Sequence, residues 1–512
     1  MSSTIRNISE DEAANMESLR KLSGFGQKVI IDIKINNPRP TYTTLDRIEG
    51  IVSILAPMDT NFDEIDIEFV GTSRTYVERL TAAAAVSGRS EAFHQFLKLQ
   101  DKSVQDLYPE DRILRAGKPY SFPFVFVVPQ HLLPKICGHT CKAAGVREAH
   151  LQLPPTFGDH DREDPTDGKV LDDLVPEMAS TRYGVHVRVC KAKLVDEEIT
   201  RRNIANKARR VRVIPATEEQ PPLDIDSDDK EYSIRREKVV RKGVLHAKAG
   251  TMVMEAIQPP AIRMRSRGDP EKPAMSNAKI MLRYDPADKH SLPPFLTDLS
   301  TKLKVCTFFA STARSTFPDK KKALQDPSQG VHSDQLNLST RKMGNVASKW
   351  TTYESEADAV RGSASSTSCI PAASKDYKGG KFFAAQIEAP ISLPTNKAFV
   401  PSFHSCLISR MYQVKFELGI QNKGFGTMDL KLPIQISCAE DGDWSPRRGS
   451  MVDDIEAEVD GFFDPRTMHI PDEAFIGHSD IRRPSPPVTP RDELPPSYSF
   501  FPVASGQTVP AY

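Results

Sequence analysis

Thiol and imidazole side chains are concentrated in one short stretch, ICGHTC, which places Cys137, His139 and Cys141 within five residues. His150 follows nine positions after the second of these cysteines. Thiolate sulfur and imidazole nitrogen are suitable ligands for zinc. A second pair of cysteines at metal-ligand spacing is missing, however, and the stretch falls between two predicted strands. We therefore favour packed or loop cysteines over a metal site, and we predict neither a metal nor another cofactor.

Motifs that carry enzyme chemistry are missing from the sequence. There is no Gly-x-x-x-x-Gly-Lys loop for phosphate, no His-Glu-x-x-His and no Gly-x-Ser-x-Gly. The glycines of GFGQK, residues 24–28, precede a predicted strand instead of following one, so they lack the context of a nucleotide-binding loop. The sequence therefore predicts a protein without catalytic activity.

A proline-rich stretch near the end of the sequence reads RDELPPSYSFFPV, residues 491–503. Consecutive prolines hold an extended left-handed helix without internal hydrogen bonds, the shape that aromatic grooves accept. Pro495, Pro496 and Tyr498 together resemble the PY motif that WW domains bind. A chance match in a proline-rich tail is the alternative, since a four-residue pattern is common.

A second candidate binding site is a basic run without any acidic residue. It comprises Arg201, Arg202, Lys207, Arg209, Arg210 and Arg212. Such a run could attract nucleic acid, anionic lipid or an acidic segment of a membrane protein. Nucleic acid is the least favoured because no aromatic side chains for base stacking are interleaved. A solvated strand between two domains is the structural alternative.

Four residues in the last part of the chain have the surroundings of phosphorylation sites, namely Ser445, Ser450, Ser485 and Thr489. Several precede proline or follow arginine, as in RRPSPPVTP. Each phosphate would add about 1.5 to 2 negative charges at neutral pH. Serine-proline pairs are also frequent by chance in such segments.

Composition limits the class of protein. The 512 residues allow two or three domains, and the 40 prolines, about 8% against a usual value of about 5%, favour β structure with many turns. Basic and acidic residues number 68 each, so no global charge favours nucleic acid or membranes.

Seven cysteines without paired spacing indicate reduced thiols in the cytosol. No apolar run is long enough for a transmembrane segment.

Several segments alternate apolar and polar residues, which is typical of half-buried strands. The pattern runs through KVIIDIKIN, DEIDIEFVG and GVHVRVCKAKL in the first half, then through QVKFELGI and DLKLPIQIS in the second. Pro433 cannot donate to a ladder, so the last of these strands should lie at an edge or contain a bulge. Residues 74–100 are different, because their alanine run and unbranched side chains favour a helix.

Changes in composition suggest the domain boundaries. We predict a flexible N-terminus at 1–25, a first β-sandwich at 26–200, a charged connection at 201–238 and a second sandwich at 239–440. The second sandwich should contain a long serine- and glycine-rich loop at 311–380. Residues 441–512, with 13 acidic residues and six arginines, lack alternating apolar runs and are predicted to be disordered.

This layout resembles that of the alpha-arrestins, the arrestin-related trafficking adaptors, of fungal type. YSFPFVFVVPQHLLP, residues 120–134, and HLQLPPTFGD, residues 150–159, are similar to late strands of the arrestin N-terminal domain. FVPSFHSCLISRMYQVKFELGI, residues 399–420, is similar to a run in the arrestin C-terminal domain. The resemblance implies an all-β fold of two arrestin-like, immunoglobulin-type sandwiches followed by a tail with a PY motif.

The resemblance also implies a function. A cytoplasmic adaptor of this kind recruits a HECT-type ubiquitin ligase with WW domains to a plasma-membrane transporter or receptor. The adaptor would be recruited to the plasma membrane and endosomes, and the cargo would receive ubiquitin and then undergo endocytosis. The basic run would contact the acidic tail of the cargo. A structural trafficking protein resembling the arrestin-fold subunits of retromer, without ligase recruitment, is the alternative.

Overall fold

The computed structural model describes ten segments of the chain: 28–79, 88–159, 171–195, 198–225, 229–242, 247–265, 272–344, 350–357, 370–421 and 426–439. The described residues are nearly all β, which confirms the predicted fold class. Their strands form two sandwich domains, one in each half of the chain. The segments predicted to be flexible or disordered, 1–25 and 441–512, lie outside the described residues.

In the described residues, nine strands build the N-terminal domain. They are β1 (Ile30–Ile35), β2 (Arg47–Leu55), β3 (Thr60–Asn61), β4 (Glu64–Arg79), β5 (Gly88–Gln100), β6 (Ile113–Leu114), β7 (Pro119–Val127), β8 (Ala179–Val195) and β9 (Glu198–Val211). One sheet has the order β1-β2-β7, the other β5-β4-β8-β9, and β3 pairs with β6. All the strand pairs in these sheets are antiparallel.

The core of this domain lies between its two sheets. Ile33 and Phe124 from the first sheet join Ile67 and Val187 from the second in one buried cluster. Burial alternates along β7, where every second residue from Phe122 onward is inside. The period of two in the sequence therefore reports correctly which side chains face the core. A 3₁₀ turn at Ser103–Leu107, another at Pro134–Ile136 and one helix, α1 (Ala144–Leu151), accompany the strands.

The described part of the C-terminal domain contains twelve strands and a short helix. The strands are β10 (Arg235–Lys242), β11 (Ala247–Ala256), β12 (Ile262–Arg265), β13 (Met275–Pro286), β14 (Phe295–Ala310), β15 (Gln329–Lys342), β16 (Thr351–Tyr353), β17 (Phe382–Ser392), β18 (Phe403–His404), β19 (Ile408–Gln421), β20 (Gly426–Ile434) and β21 (Ile436–Ala439). The helix is α2 (Lys320–Gln325).

These strands again form two main sheets around one core. The first has the order β10-β11-β13-β17-β16, and the second the order β15-β14-β19-β18, with β20 also paired to β19. Buried side chains such as Ile280, Ile387, Leu303 and Val414 meet between the sheets. Pro433, on β20, lies opposite Gln413 of β19. Besides its ladder with β19, the described part of β20 makes an isolated bridge between Lys431 and Ser233, so Pro433 lies on a strand that is mostly an edge.

The helix predicted over residues 74–100 is wrong in the described parts of that segment. β4 continues to Arg79, and β5 begins at Gly88 and pairs with it antiparallel, Thr75 opposite Ala92. β4 is also paired with β8 from Glu64 to Thr75, so the start of the segment has strand partners on both sides. Tertiary pairing therefore overrides the weak helical propensity of the segment. The alanine run itself, at 82–85, lies outside the described residues.

Two predicted connections contain strands. β9 pairs with β8 from Glu198 to Val211, so the start of the predicted connection at 201–238 belongs to the N-terminal sheet, and its end belongs to β10. The predicted loop at 311–380 contains α2, β15 and β16. β15 is an outer strand, in which Leu336 and Leu338 pack on the core between polar neighbours. An outer strand needs few apolar residues. The composition of residues 311–380 is therefore similar to that of a loop, although the segment contains strands.

The two domains share an apolar cluster. Phe157 and Ile214 from the N-terminal half pack with Val400, Phe403 and others from the C-terminal half. The rings of Phe157 and Phe403 meet edge to face, with centroids 5.6 Å apart. Thr75 Oγ1 on β4 also donates to the carbonyl of Ala310, at the end of β14, over 2.6 Å.

A fully buried arginine reinforces this contact between the domains. Arg410, on β19, is 0% exposed. Its guanidinium donates to the carbonyl oxygens of Asp173 and Leu174, over 2.7 and 2.9 Å, and to Thr307 Oγ1 over 2.6 Å. The segment before β8 is thereby attached to the second domain. A buried guanidinium is tolerated only when its donors are satisfied in this way.

No helix among the described residues is both long and apolar enough to cross a membrane.

We predict that Arg410→Met lowers the free energy of unfolding by about 3–5 kcal/mol, because the buried carbonyls of Asp173 and Leu174 lose their charged donor. Thermal and urea denaturation of the purified protein would measure the change. Arg263→Met, at an exposed position on β12, is the matched control and should change stability by less than about 0.5 kcal/mol. Equal stability of the two variants would contradict the role given to Arg410.

Candidate functional site

The residues predicted to bind WW domains, Pro495, Pro496 and Tyr498, lie outside the described residues. The same is true of the four candidate phosphorylation sites, Ser445, Ser450, Ser485 and Thr489. These assignments remain predictions from the sequence. The described residues contain two other candidates, the basic run and the thiol–imidazole cluster.

The basic run lies on β9, the outermost strand of its sheet, except for Arg212, which comes directly after that strand. Arg201, Arg202 and Lys207 are exposed, whereas Arg209, Arg210 and Arg212 are partly buried. The run is therefore ordered sheet structure in the N-terminal domain and not a connection between domains. Its backbone hydrogen bonds with β8 fix the direction of each side chain.

Strand geometry divides the basic side chains between two faces. Arg210 lies opposite Gly184 and its neighbour in sequence, Arg209, lies opposite Val185, whose side chain is in the core. Successive side chains of a strand point to opposite faces. Lys207 accordingly reaches across the edge of the sandwich to Asp32 on β1, with Nζ 2.9 Å from Oδ1. The six residues do not form one continuous basic surface.

Part of the run stabilises the fold. Arg210 donates to Asp159 Oδ1 over 2.9 Å, and Arg182 Nε lies 3.3 Å from the same oxygen. The side chain of Asp159 is 1% exposed and that of Arg210 is 36% exposed, so a buried carboxylate is paired with a partly exposed guanidinium. Arg201 has a more open contact, with Nη1 3.1 Å from Glu64 Oε2 and a side chain that is 61% exposed. Arg201 and Arg202 are thus better placed than Arg210 to contact a partner.

The thiol–imidazole cluster lies where the two domains meet. The structure brings Cys137 and Cys141 together, with their Sγ atoms 3.7 Å apart, and places His139 Nε2 3.3 Å from Cys137 Sγ. His150 Nδ1 lies 3.7 Å from Cys137 Sγ and 3.9 Å from Cys141 Sγ. The spacing in the sequence therefore identified four residues that are neighbours in space.

A fifth member of the cluster comes from the other domain. Cys406 lies in the turn between β18 and β19, and its Sγ is 3.4 Å from His139 Nε2, although the two residues are 267 positions apart. The sequence analysis missed Cys406, because a single cysteine among apolar residues gives no signal of its distant partners. All six described cysteines are free thiols.

Burial controls protonation in the cluster. Burial, followed by the hydrogen bond to Cys141, raises the pKa of Cys137 to about 11, and burial raises the pKa of Cys406 as well. Burial, together with the nearby positive charges of other histidines and Arg314, lowers the pKa of His150 to about 4. The imidazole ring of His150 is therefore neutral at pH 7 and keeps one nitrogen lone pair.

Two comparisons with protein families agree with this architecture. A family model of the arrestin (or S-antigen) N-terminal domain matches residues 31–156, from β1 to just beyond α1. A model described as the Bul1 C terminus matches residues 311–438, from α2 into β21. Neither match covers residues 157–310. A search of curated proteins finds no match. Together with the all-β fold, the matches to both halves of the chain support an arrestin-related adaptor.

Proposed function

We propose that this protein is a cytoplasmic adaptor that recruits a HECT-type ubiquitin ligase to plasma-membrane transporters or receptors. The observation that carries the proposal is the combination, in one chain, of two arrestin-related matches with Pro495, Pro496 and Tyr498. The sandwich domains would engage the cargo, and the PY motif would bind the WW domains of the ligase. The adaptor itself needs no catalytic residues for this role.

Chain length allows the two tasks to be separated in space. The described part of the second domain ends at Ala439, and Pro495 follows more than 50 residues later. With the disorder predicted from the sequence for residues 441–512, about 60 residues of chain would have a root-mean-square span on the order of 40 Å, comparable with the size of a sandwich domain. A ligase bound at the PY motif could therefore reach either the sandwich domains or a cargo bound to them.

Charge provides a candidate cargo contact on the N-terminal domain. Arg201 and Arg202 project from the exposed start of β9, and an acidic cytosolic segment of a membrane protein would complement them. Arg210 is a poor choice for a test of cargo binding, because its replacement would also disturb the buried carboxylate of Asp159. We therefore assign cargo contact to the exposed end of the predicted basic run.

The ligase-binding prediction centres on Tyr498. Tyr498→Ala in the full chain should abolish binding to isolated WW domains, for which we expect micromolar affinity, on the order of −7 kcal/mol. Titration calorimetry would measure this binding. Tyr512→Ala, which alters the VPAY sequence at residues 509–512, is the matched control and should bind like the unmodified chain. If Tyr498→Ala still binds WW domains and Tyr512→Ala does not, the assignment of the binding site to Tyr498 is wrong.

The same variant separates the adaptor from the retromer-like alternative. Mass spectrometry of co-purified proteins should show that the ligase is lost with Tyr498→Ala. A structural trafficking protein would instead retain coat subunits and be insensitive to this change. Retention of an identical set of partners would therefore favour the alternative.

We predict that any ubiquitin attached to this protein is found on lysines at or before Lys431. Residues 441–512 contain no lysine, so a bound ligase finds no conventional acceptor beside its own binding site. Peptide mapping by mass spectrometry would locate the modified residues, and Tyr498→Ala should remove the modification. Ubiquitin on a serine or threonine of the tail would contradict this prediction.

Reversal of the exposed charges should weaken cargo binding. We expect the double variant Arg201→Glu, Arg202→Glu to reduce cargo ubiquitination about tenfold while WW-domain binding is unchanged. Because exposed charges are screened beyond about 8 Å at physiological salt, cargo binding should also weaken as salt rises. Arg263→Glu, Arg265→Glu, at two exposed positions of β12, is the matched control. Equal cargo ubiquitination in both double variants would exclude this surface.

A further inference from the structure

Four potential metal ligands from both domains converge at the contact between the domains. The donor atoms of Cys137, His139, His150 and Cys406 all lie within 4.8 Å of one another. Three of the four residues are buried, and His139 is partly buried. We propose that these four side chains bind one zinc ion that connects the two domains.

The distances between donor atoms agree with a tetrahedral site. Zinc binds sulfur at about 2.3 Å and imidazole nitrogen at about 2.0–2.1 Å, so neighbouring donors of a tetrahedron lie about 3.4–3.8 Å apart. The Sγ of Cys137 is 3.3 Å from His139 Nε2 and 3.7 Å from His150 Nδ1. The Sγ of Cys406 is 3.4 Å from His139 Nε2. Little movement is needed for all four donors to surround one ion.

The donor types select zinc over the harder cations. Two thiolates and two imidazoles form the Cys₂His₂ set that is common in structural zinc sites, whereas calcium and magnesium require oxygen ligands. A closed set of four protein ligands leaves no position for substrate, so the site would be structural and not catalytic. This role is consistent with an adaptor but does not depend on that function.

Local structure holds the ligands in place. Cys137 follows directly after the 3₁₀ turn at Pro134–Ile136, and His150 is fixed on the buried side of α1. The carbonyl of Cys406 accepts a hydrogen bond from the amide of Arg314 over 3.0 Å. Lys142, between His139 and α1, donates its amide to the carbonyl of Ser315 over 2.8 Å. The two sides of the site therefore have direct backbone contacts as well.

Cys141 is a fifth thiol beside the proposed set. Its Sγ lies 3.7 Å from that of Cys137, so a disulfide between them is the main alternative use of these residues. A disulfide requires a sulfur–sulfur distance of about 2.05 Å and would remove Cys137 as a thiolate ligand. The two possibilities exclude each other and can be distinguished by measurement.

The consequence of zinc binding would be a cross-link within one chain. Such a cross-link joins residues more than 250 positions apart and restricts the unfolded chain as a long-range disulfide would. Metal binding energy would also become folding energy for the contact between the domains. Removal of zinc should therefore loosen the contact that Phe157, Phe403 and Arg410 also stabilise.

The first test is metal analysis of the full chain, purified under reducing conditions without added metal or chelator. We expect about one zinc per chain by inductively coupled plasma mass spectrometry. Exchange with Co²⁺ should produce the visible d–d bands of a tetrahedral site and a thiolate charge-transfer band. Zinc well below stoichiometry in this sample, together with no tetrahedral spectrum on adding Co²⁺, would overturn the proposal.

The second test identifies the ligands. Cys406→Ser should reduce the zinc content to near zero, whereas Cys141→Ser and Cys190→Ser should each keep about one zinc per chain. Cys190 is a buried cysteine of the N-terminal domain whose thiol donates to Asn203 Oδ1. Its replacement controls for the loss of a buried thiol. Stoichiometric zinc in Cys406→Ser would contradict a site shared by the two domains.

A third measurement covers the case in which Cys406→Ser does not fold. Chelator added to the unmodified full chain should lower its melting temperature, and zinc should restore it. Thiol titration and peptide mapping before chelation should find Cys137 and Cys141 reduced. A disulfide between them in the freshly purified protein, or a melting temperature that chelation leaves unchanged, would reject the zinc site.

Discussion

The hydrogen bonds of Arg410 determine how the two halves of this molecule meet. A guanidinium that is fully removed from water would destabilise the fold unless its donors found partners, and two of those partners are backbone carbonyls of residues 173 and 174. These carbonyls precede β8, the strand that lies between β4 and β9 in its sheet. The position of the N-terminal domain therefore depends on a side chain of the C-terminal domain, and the apolar cluster around Phe157 closes over the same contact.

The thiol–imidazole cluster depends on the same constraint. Cys406 precedes Arg410 by four residues, and it can reach His139 only while β19 is held against the N-terminal half. A zinc ion there would add a bond of known geometry to an interface otherwise formed by packing and hydrogen bonds. For an adaptor, a fixed arrangement of the two sandwiches would present one surface to cargo.

The basic run illustrates how strand geometry changes the meaning of a sequence pattern. Read along the chain, six basic residues resemble one binding surface. Along β9 the side chains of a strand alternate between the outer face and the core side, which divides the basic residues between two faces. Arg210 neutralises the buried carboxylate of Asp159. Charge alone could not distinguish a residue that stabilises the fold from one that is exposed to a partner. Arg201, Arg202 and Lys207 are the exposed members of the run, and their contact with a partner stays a prediction.

The alternating apolar residues by themselves determined the all-β class and the inward faces of strands such as β1, β4 and β19, because a strand has a period of two wherever it is paired. The missing amide hydrogen of Pro433 indicated an edge strand. Local patterns also identified Cys137, His139, Cys141 and His150 as neighbours. They failed for residues 74–79 and 88–100, where the antiparallel pairing of β4 with β5 overrides helical propensity, and for β15, whose few apolar residues suffice at the edge of a sheet. The tertiary structure alone decided that Cys406 joins the cluster and that Arg410 connects the domains. Such contacts depend on how two folded sandwiches pack against each other, and residues hundreds of positions apart leave no periodic signal of that packing in the chain.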